Sequence, residues 1–389
     1  MRIIQADYIF PLNQAPIKNG YLFIEDDGTV IHVTDTAPIT KDFQVEQYSG
    51  FICPGFINTH CHLELSHLKG LLPEALGLEK FISKIPKMRG SPHLNPSKSM
   101  RDADKEMREA GIVAVGDISN TSDGLEVKKK SPLHYHSFVE VFGLDTKKSN
   151  SLLLEGKKVL EIYRENNQAA SLVPHAPYSV SPILLEGIYG HDKNSIKSIH
   201  HQESKSENQL FLDGEGPLVA LYEEKGVDIS KLKKMGKTSS QYSVLDYLSN
   251  DEKILFVHNT YSKPEDIDLI EKNLTSAYWC TCPKANWYIE RQLPDYELWR
   301  KNNLKVTLGT DSLASNHGLS ILEEIKCIHE SFPQIPTNEL LIWACKNGAE
   351  FLDLPRLGSF SPGFKPGVML IKNTKGTSLT RDSCVEVIA

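Results

Sequence analysis

The stretch FICPGFINTHCH at residues 51–62 is a short apolar run closed by two imidazoles, His60 and His62, and that plan recurs along the chain. Seven further runs follow it: GIVAVGDIS (111–119), HYHSFVEVFG (134–143), SLVPHAPYS (171–179), IKSIHHQES (196–204), ILFVHNT (254–260), SAYWCTCP (276–283) and KVTLGTDS (305–312). Helical stretches separate several of them. SKSMRDADKEMREAG (97–111) is amphipathic and ends at a glycine, and KPEDIDLIEKN (263–273) opens on proline with acids in its first turn. Strand–helix alternation repeated eight times is the signature of a closed parallel barrel. The expected fold is therefore α/β, a (β/α)8 TIM barrel spanning residues 50–357.

Outside that span the pattern changes. Residues 1–49 read as short strands, IIQADYIF, GYLFIEDD and TVIHVTD, with a turn at Gly28. After the eighth run come two helical segments, LSILEEIKCIHE (319–330) and TNELLIWACKNGAEFLDL (337–354), then the Gly/Pro-rich stretch 358–367 and a strand, VMLIKN. Residues 1–49 and 358–389 are expected to pair into one small discontinuous β-sandwich domain beside the barrel.

Composition narrows the function classes. With 389 residues and 40% hydrophobic content, the chain has enough apolar material for a large core and a satellite. A net charge of −7 argues against a nucleic-acid binder, which shows a basic face. The one basic run, Lys128-Lys129-Lys130, reads as a solvated loop. No apolar run approaches the roughly 20 residues needed to cross a bilayer, and MRIIQADYIF has no cleavable leader pattern, so no membrane partner is expected. Seven scattered cysteines read as reduced thiols of a cytoplasmic protein. Cys280 and Cys282 share a strand face, but no second cysteine pair completes a zinc knuckle, so burial is expected.

Function in a parallel barrel sits at the C-terminal ends of the strands. The first run ends Thr59-His60-Cys61-His62, and residues i and i+2 of a strand face the same way, so both imidazoles face inward. Alone, His-x-His serves equally as a metal platform or as structure. The fifth run ends with His200 and Glu203, the sixth with His258-Asn259, the eighth with Asp311. Ionisable groups delivered to one end by several strands must be paired or ligated to offset their desolvation. Histidines with an aspartate suit one divalent transition ion with an open position for water, zinc or iron(II) by ligand type. The fourth run has no lysine to bridge two ions, so one ion per subunit is expected. His201 should point away from its neighbour His200. Asn286 is placed to support the site by hydrogen bonding. Trp279, Trp287 and Tyr288 read as core packing or as a stacking wall for a planar ring.

These pieces resemble the amidohydrolase superfamily, in the branch of aminohydrolases and chlorohydrolase-like enzymes. The carriers are PGFINTHCHLELS (54–66), PHAPYSVS (174–181), His200-x-x-Glu203, VHN (257–259), CPKAN (282–286) and LGTDSLASN (308–316), in the family's order and across the whole barrel. The resemblance implies His60, His62, His200 and Asp311 as metal ligands, Glu203 as proton shuttle, His258 as the group orienting water, and Asp311 as ligand and base. It also implies a substrate contact at His175, and Glu64 and Asn286 are further substrate-binding candidates from their positions in the chain. Glu64 reads either as a substrate contact or as a solvent-facing acid of the loop. Ala285 stands where many relatives carry serine.

The implied reaction is hydrolytic deamination of an amino-substituted heterocycle, a purine-nucleoside-like compound, with release of ammonia. The HLELS wording is similar to that of aminodeoxyfutalosine deaminases, whose substrate carries a benzoate. Lys69, Lys284 and Arg291 are the basic residues expected near it, and His317 is a further substrate candidate. Two alternatives stand beside this reading: hydrolysis of a C–Cl or cyclic amide bond on the same scaffold, and a non-catalytic binding barrel. A homodimer is compatible with such a barrel.

Overall fold

Pro54 and Gly55 mark the place where the chain passes from one sheet to another. A Cβ on Gly55 would lie 2.4 Å from Val113 Cγ1 and 2.7 Å from the Pro366 carbonyl oxygen, so only glycine permits this crossing. The computed structural model of the chain describes residues 1–38, 44–91, 93–191 and 195–389. On the N-terminal side of the crossing lie β1 (Arg2–Ile9), β2 (Ile17–Lys18), β3 (Tyr21–Ile24), β4 (Val30–Thr34) and β5 (Val45–Pro54). On the other side begin β6 (Phe56–Cys61), β7 (Ile112–Ser119), β8 (His134–Val141) and β9 (Ala169–Pro174). They are followed by β10 (Lys197–His201), β11 (Lys253–His258), β12 (Ser276–Thr281) and β13 (Val306–Leu308), then β14 (Val368–Lys372) and β15 (Cys384–Val387).

The eight strands β6 to β13 coincide with the eight apolar runs. They form two four-stranded parallel sheets, β6-β7-β8-β9 and β10-β11-β12-β13. The strands are largely buried on both faces, as parallel strands enclosed by other layers are. Neighbouring residues go to different cores: Phe56, Leu172 and Phe256 to the large cluster that includes helical residues, Ile57, Val173, Leu255 and Val257 to a second cluster. At their C-terminal ends the two sheets touch along both outer seams. The His200 N–H donates to the His175 carbonyl at 2.8 Å, and the Thr310 and Asp311 N–H groups donate to the His60 carbonyl at 3.0 and 3.1 Å. Cys61 and Asp311 form an isolated parallel bridge at the second seam.

The terminal strands make one mixed seven-stranded sheet, ordered β15-β14-β5-β1-β3-β4 with β2 on β1. β14 is antiparallel to β5, so the C-terminal segment returns to the N-terminal one. This sheet has its own core, including Ile4, Leu22, Ile52 and Leu370. It holds the chain as far as Pro54, past the residue 49 limit read from the sequence, because the apolar FICP of 51–54 pairs with β1 and β14. Within the expected segment 1–49, residues 39–43 lie outside the described residues.

The lysine run corrects the sequence reading. Lys128 to Lys130 end the helix Leu125–Lys130 rather than a loop, and the Lys128 side chain is wholly buried against Asp117. Lys129 and Lys130 pair with Glu126 near the surface. The helices Pro96–Glu109 and Pro264–Asn273 lie where the sequence placed them, each with proline in its first turn; the side chain of Asn95 caps the first. Cys280 and Cys282 are buried, free thiols.

Candidate metal centre and active site

Three imidazoles meet at the C-terminal ends of β6 and β10. His62 Nε2 lies 3.1 Å from His60 Nε2 and 3.3 Å from His200 Nε2. Asp311 Oδ1, just beyond β13, is 3.3 Å from His62 Nε2 and 3.7 Å from His60 Nε2. Zn–N bonds of about 2.0–2.1 Å at tetrahedral angles put ligand atoms roughly 3.3 Å apart, so these donors fit a single ion. The second possible donor group, Glu140 with His175 and His200, shares His200. The Nδ1 of that ring already donates to the His175 carbonyl at 2.9 Å, which aims its Nε2 at the first group.

The strand ends bend sharply to deliver these side chains. Gln202, His258, Asn259 and Asp311 all have positive φ, at 44°, 73°, 51° and 55°. Such left-handed backbone is uncommon outside glycine and gathers at functional sites. His258 Nδ1 donates to Asn286 Oδ1 at 2.7 Å, while its Nε2 has no hydrogen-bond partner among the described residues and lies 3.7 Å from Glu203 Oε1. Glu203 Oε2 accepts from the Tyr178 hydroxyl at 3.3 Å. Asp311 Oδ2 accepts from Ser315 Oγ at 2.5 Å.

Burial sets the charge states. It lowers the imidazoles of His60, His200 and His258, takes His62 down to about 3 and His175 to about 4, and so keeps their lone pairs free for a cation. Burial would raise Asp311, but the His60 hydrogen bond and the adjoining His62 and His258 prevail and hold its carboxyl well below the usual carboxylate range. Glu203 goes the other way. Desolvation, helped by the charges of Asp311 and Glu290, pushes it well above its ordinary value and so favours its protonated form. Two carboxyls whose surroundings push them in opposite directions beside one donor cluster have the pattern acid–base chemistry needs.

The cluster forms the floor of a cavity of about 440 Å³. One wall is the helix Leu78–Arg89, which presents Leu78, Phe81, Ile82, Ile85 and, at its end, Arg89. Phe142, Leu144, Leu221 and Tyr222 face it. His175 lines the cavity, with Nδ1 on Ser179 Oγ at 2.6 Å and its ring 4.6 Å from that of His200. Asn286 and Glu64 reach the cavity through others. Asn286 holds His258, whereas Glu64 is buried and accepts from Arg89, from the Asn120 N–H and from both the N–H and hydroxyl of Thr121.

The basic residues singled out from sequence lie elsewhere. Lys69 pairs with Glu106, Arg291 with Glu74, and the backbone of Lys284 bonds Glu324. Arg89 and Lys225 are the cations on the cavity wall. His317 is exposed and pairs with Glu74 at 2.9 Å. Trp279 is buried against Phe256 and Trp299, which settles its alternatives in favour of core packing. His201 points away from the cluster, to Asn259 and Ser240, each at 2.9 Å. Sequence reasoning missed Arg89, Asn120, Glu140 and Ser315; only the i, i+3, i+4, i+7 apolar spacing of Leu78, Phe81, Ile82 and Ile85 hinted at a cavity wall.

The sequence pattern of the Amidohydrolase family matches residues 51–386. The chain belongs to the amidohydrolase family. Among curated amidohydrolase relatives, it is 26% identical over 363 residues to the adenosine deaminase of Helicobacter pylori, covering 90% of this chain and 87% of that one. It is 25% identical over 349 residues to the aminodeoxyfutalosine deaminase of Nitratiruptor, covering 87% and 83%. The crystal structure of Helicobacter pylori aminofutalosine deaminase in complex with methylthio-coformycin superposes with a TM-score of 0.83 at 23% identity, covering 98% of this chain and 94% of that one.

Proposed function

We propose that this amidohydrolase is a metal-dependent hydrolytic deaminase of an amino-substituted heterocycle, a nucleoside-like compound such as aminodeoxyfutalosine. The observation that carries the reading is the convergence of three imidazole nitrogens with Asp311 Oδ1 at ligand spacing, with Glu203 and His258 beside them, under one cavity lined by His62, His200, Glu203, His258 and Asp311. His60, His62, His200 and Asp311 would hold one divalent ion, and three nitrogens with one carboxylate favour zinc over iron(II). Such an ion, when bound, supplies a water acidic enough to attack at neutral pH.

The remaining work falls to side chains of this chain. Asp311 accepts the proton of the attacking water. Glu203 passes its proton to the ring nitrogen beside the carbon under attack, so that no negative charge accumulates there. His258, whose Nδ1–H donates to Asn286, presents the lone pair of Nε2 to the attacking water and orients it. The amine then takes the proton from Asp311 and leaves as ammonia, while the hydroxyl gives its proton back to Glu203 as the carbonyl forms. His175 contacts the heterocycle, and Glu64 acts on the substrate through Arg89. The apolar walls favour a substrate that carries a large apolar substituent, with Arg89 and Lys225 as partners for an anionic end.

The finer architecture belongs to this reading. The two parallel sheets would be halves of one closed barrel, supported by the backbone bonds at both seams. The seven-stranded sheet would be a discontinuous, sandwich-like domain, supported by its separate core. No helix among the described residues is long and apolar enough to cross a membrane.

The test is ammonia release by zinc-loaded enzyme from adenosine, S-adenosylhomocysteine, aminodeoxyfutalosine, guanine and cytosine. Release from a nucleoside, reduced at least about 100-fold by Glu203→Gln, is the expected outcome, since positioned acid–base groups contribute roughly 10²–10⁴-fold. Metal-bound enzyme that is silent on the whole panel but releases chloride from a chlorotriazine or opens a cyclic amide would overturn it.

A further inference from the structure

One buried ion pair next to the metal centre takes no part in the chemistry above. Asp117 on β7 and Lys128 on the helix Leu125–Lys130 are both wholly buried, with Lys128 Nζ 2.6 Å from Asp117 Oδ2. The ammonium also donates to Ser119 Oγ and Ser137 Oγ, each at 2.8 Å, so its three donors are all used. The Tyr163 ring covers it at 4.8 Å. Neither Asp117 nor Lys128 lines the cavity.

The other carboxylate oxygen shows what the pair holds. Asp117 Oδ1 accepts from the backbone N–H of Leu63 at 2.8 Å, the residue directly after His62. Cys61 is the last residue of β6 to register with β7, opposite Asp117 itself. Where the strand ladder stops, the Asp117 side chain continues it by one hydrogen bond and sets the direction in which the chain leaves His62. That anchor matters most for this ligand. His200 is aimed by its own Nδ1 bond to the His175 carbonyl, whereas among the described residues no hydrogen bond reaches His62 Nδ1. The aim of the His62 ring therefore depends on its backbone. An unpaired carboxylate buried at Asp117 would be strongly unfavourable, and Lys128 removes that penalty while pinning the carboxylate in place.

We propose that Asp117 and Lys128 are positioning residues for metal binding: Asp117 fixes His62 through the Leu63 N–H, and Lys128 holds Asp117 in the orientation that does so. The inference rests on reading His62 as a metal ligand. Two neutral double variants separate the anchor from the ion pair. Asp117→Asn with Lys128→Met keeps an acceptor for Leu63, and Asp117→Leu with Lys128→Met removes it. Zinc affinity, read by competition with a chromophoric chelator, should stay within a few-fold of wild type in the first. In the second it should fall about 10–100-fold, the usual effect of losing support behind a metal ligand, with the melting temperatures of the two apo variants alike. Equal zinc affinities in the two variants would overturn the proposal. Hydrogen exchange on the unmodified holoenzyme gives a check that needs no variant. The Leu63 amide should exchange as slowly as those of β6, and an unprotected Leu63 amide would also overturn the inference. Wild-type protein that binds no zinc would instead sink the metal-centre reading itself.

Discussion

Asn286 holds His258 by a single 2.7 Å bond to Nδ1, and its own Nδ2 has no hydrogen-bond partner among the described residues. Removing the amide in Asn286→Ala leaves the ring free to turn, so with His258 in its proposed role kcat should fall about 10–100-fold, the usual effect of losing support behind a functional histidine. Steady-state kinetics check it, with zinc content unchanged. Glu324 illustrates a residue whose charge opposes the fold. It is buried, and desolvation pushes its carboxyl up to about 8 despite hydrogen bonds from the Lys284 N–H and Asn316 Nδ2. A folded value above the unfolded one means that its stabilising contribution is complete below the unfolded carboxylate range. It is lost as pH rises through about 8. Glu324→Gln should therefore be less stable overall, because its amide would face an N–H donor. Its melting temperature should nevertheless change less between pH 6 and 9 than that of wild type. A parallel slope in the two proteins would contradict the assignment.

At the scale of elements, the seam between β6 and β13 is the tightest constraint on the centre. A Cβ at Gly309 would lie 2.8 Å from His60 Cβ, 2.9 Å from Cys282 Sγ and 2.9 Å from the His60 carbonyl oxygen. Gly309→Ala must push β13 away from β6. It should cost about 1–3 kcal/mol, as overpacking does, and weaken zinc binding because Asp311 moves with the strand. Thermal melts and a chelator competition would show both, and an unchanged zinc affinity would mean that the ligand set tolerates the shift. The helices and strands were largely legible in the sequence, since period-2 and period-3.6 apolar spacing is local. The Lys128 run was not. Three successive lysines look solvated, and only the return of the helix Leu125–Lys130 over β7 and β8 brings one ammonium onto Asp117, Ser119 and Ser137. Arg89 escaped notice for the same reason, because its partners Glu64 and Asn120 come from other elements.

At the scale of the molecule, the C-terminal segment is structural. β14 lies between β15 and β5 and buries Val368, Met369, Leu370 and Ile371. Deleting residues 358–389 would expose the edge of β5 and open the core around Ile4, Ile52 and Leu370. Such a chain should aggregate, since an uncovered apolar edge strand pairs with others. Light scattering of the truncated protein beside the full chain tests it, and a soluble, zinc-binding truncation would show the two parallel sheets to be self-sufficient.

By itself the sequence determined the alternation of eight runs with helices and the donor types waiting at their ends, because each of these is written within a dozen residues. His60, His62, His200, Glu203, His258 and Asp311 were all nameable on that basis. Only the tertiary structure decided that three Nε2 atoms meet at ligand spacing, that Glu64 is occupied while Arg89 faces the cavity, and that Asp117 and Lys128 stand behind His62. The physical reason is range. Strand and helix patterns report side chains close in sequence, whereas charge state, ligand geometry and cavity shape arise from groups brought together at the C-terminal ends of the two parallel sheets, where burial rather than local spacing sets their energies.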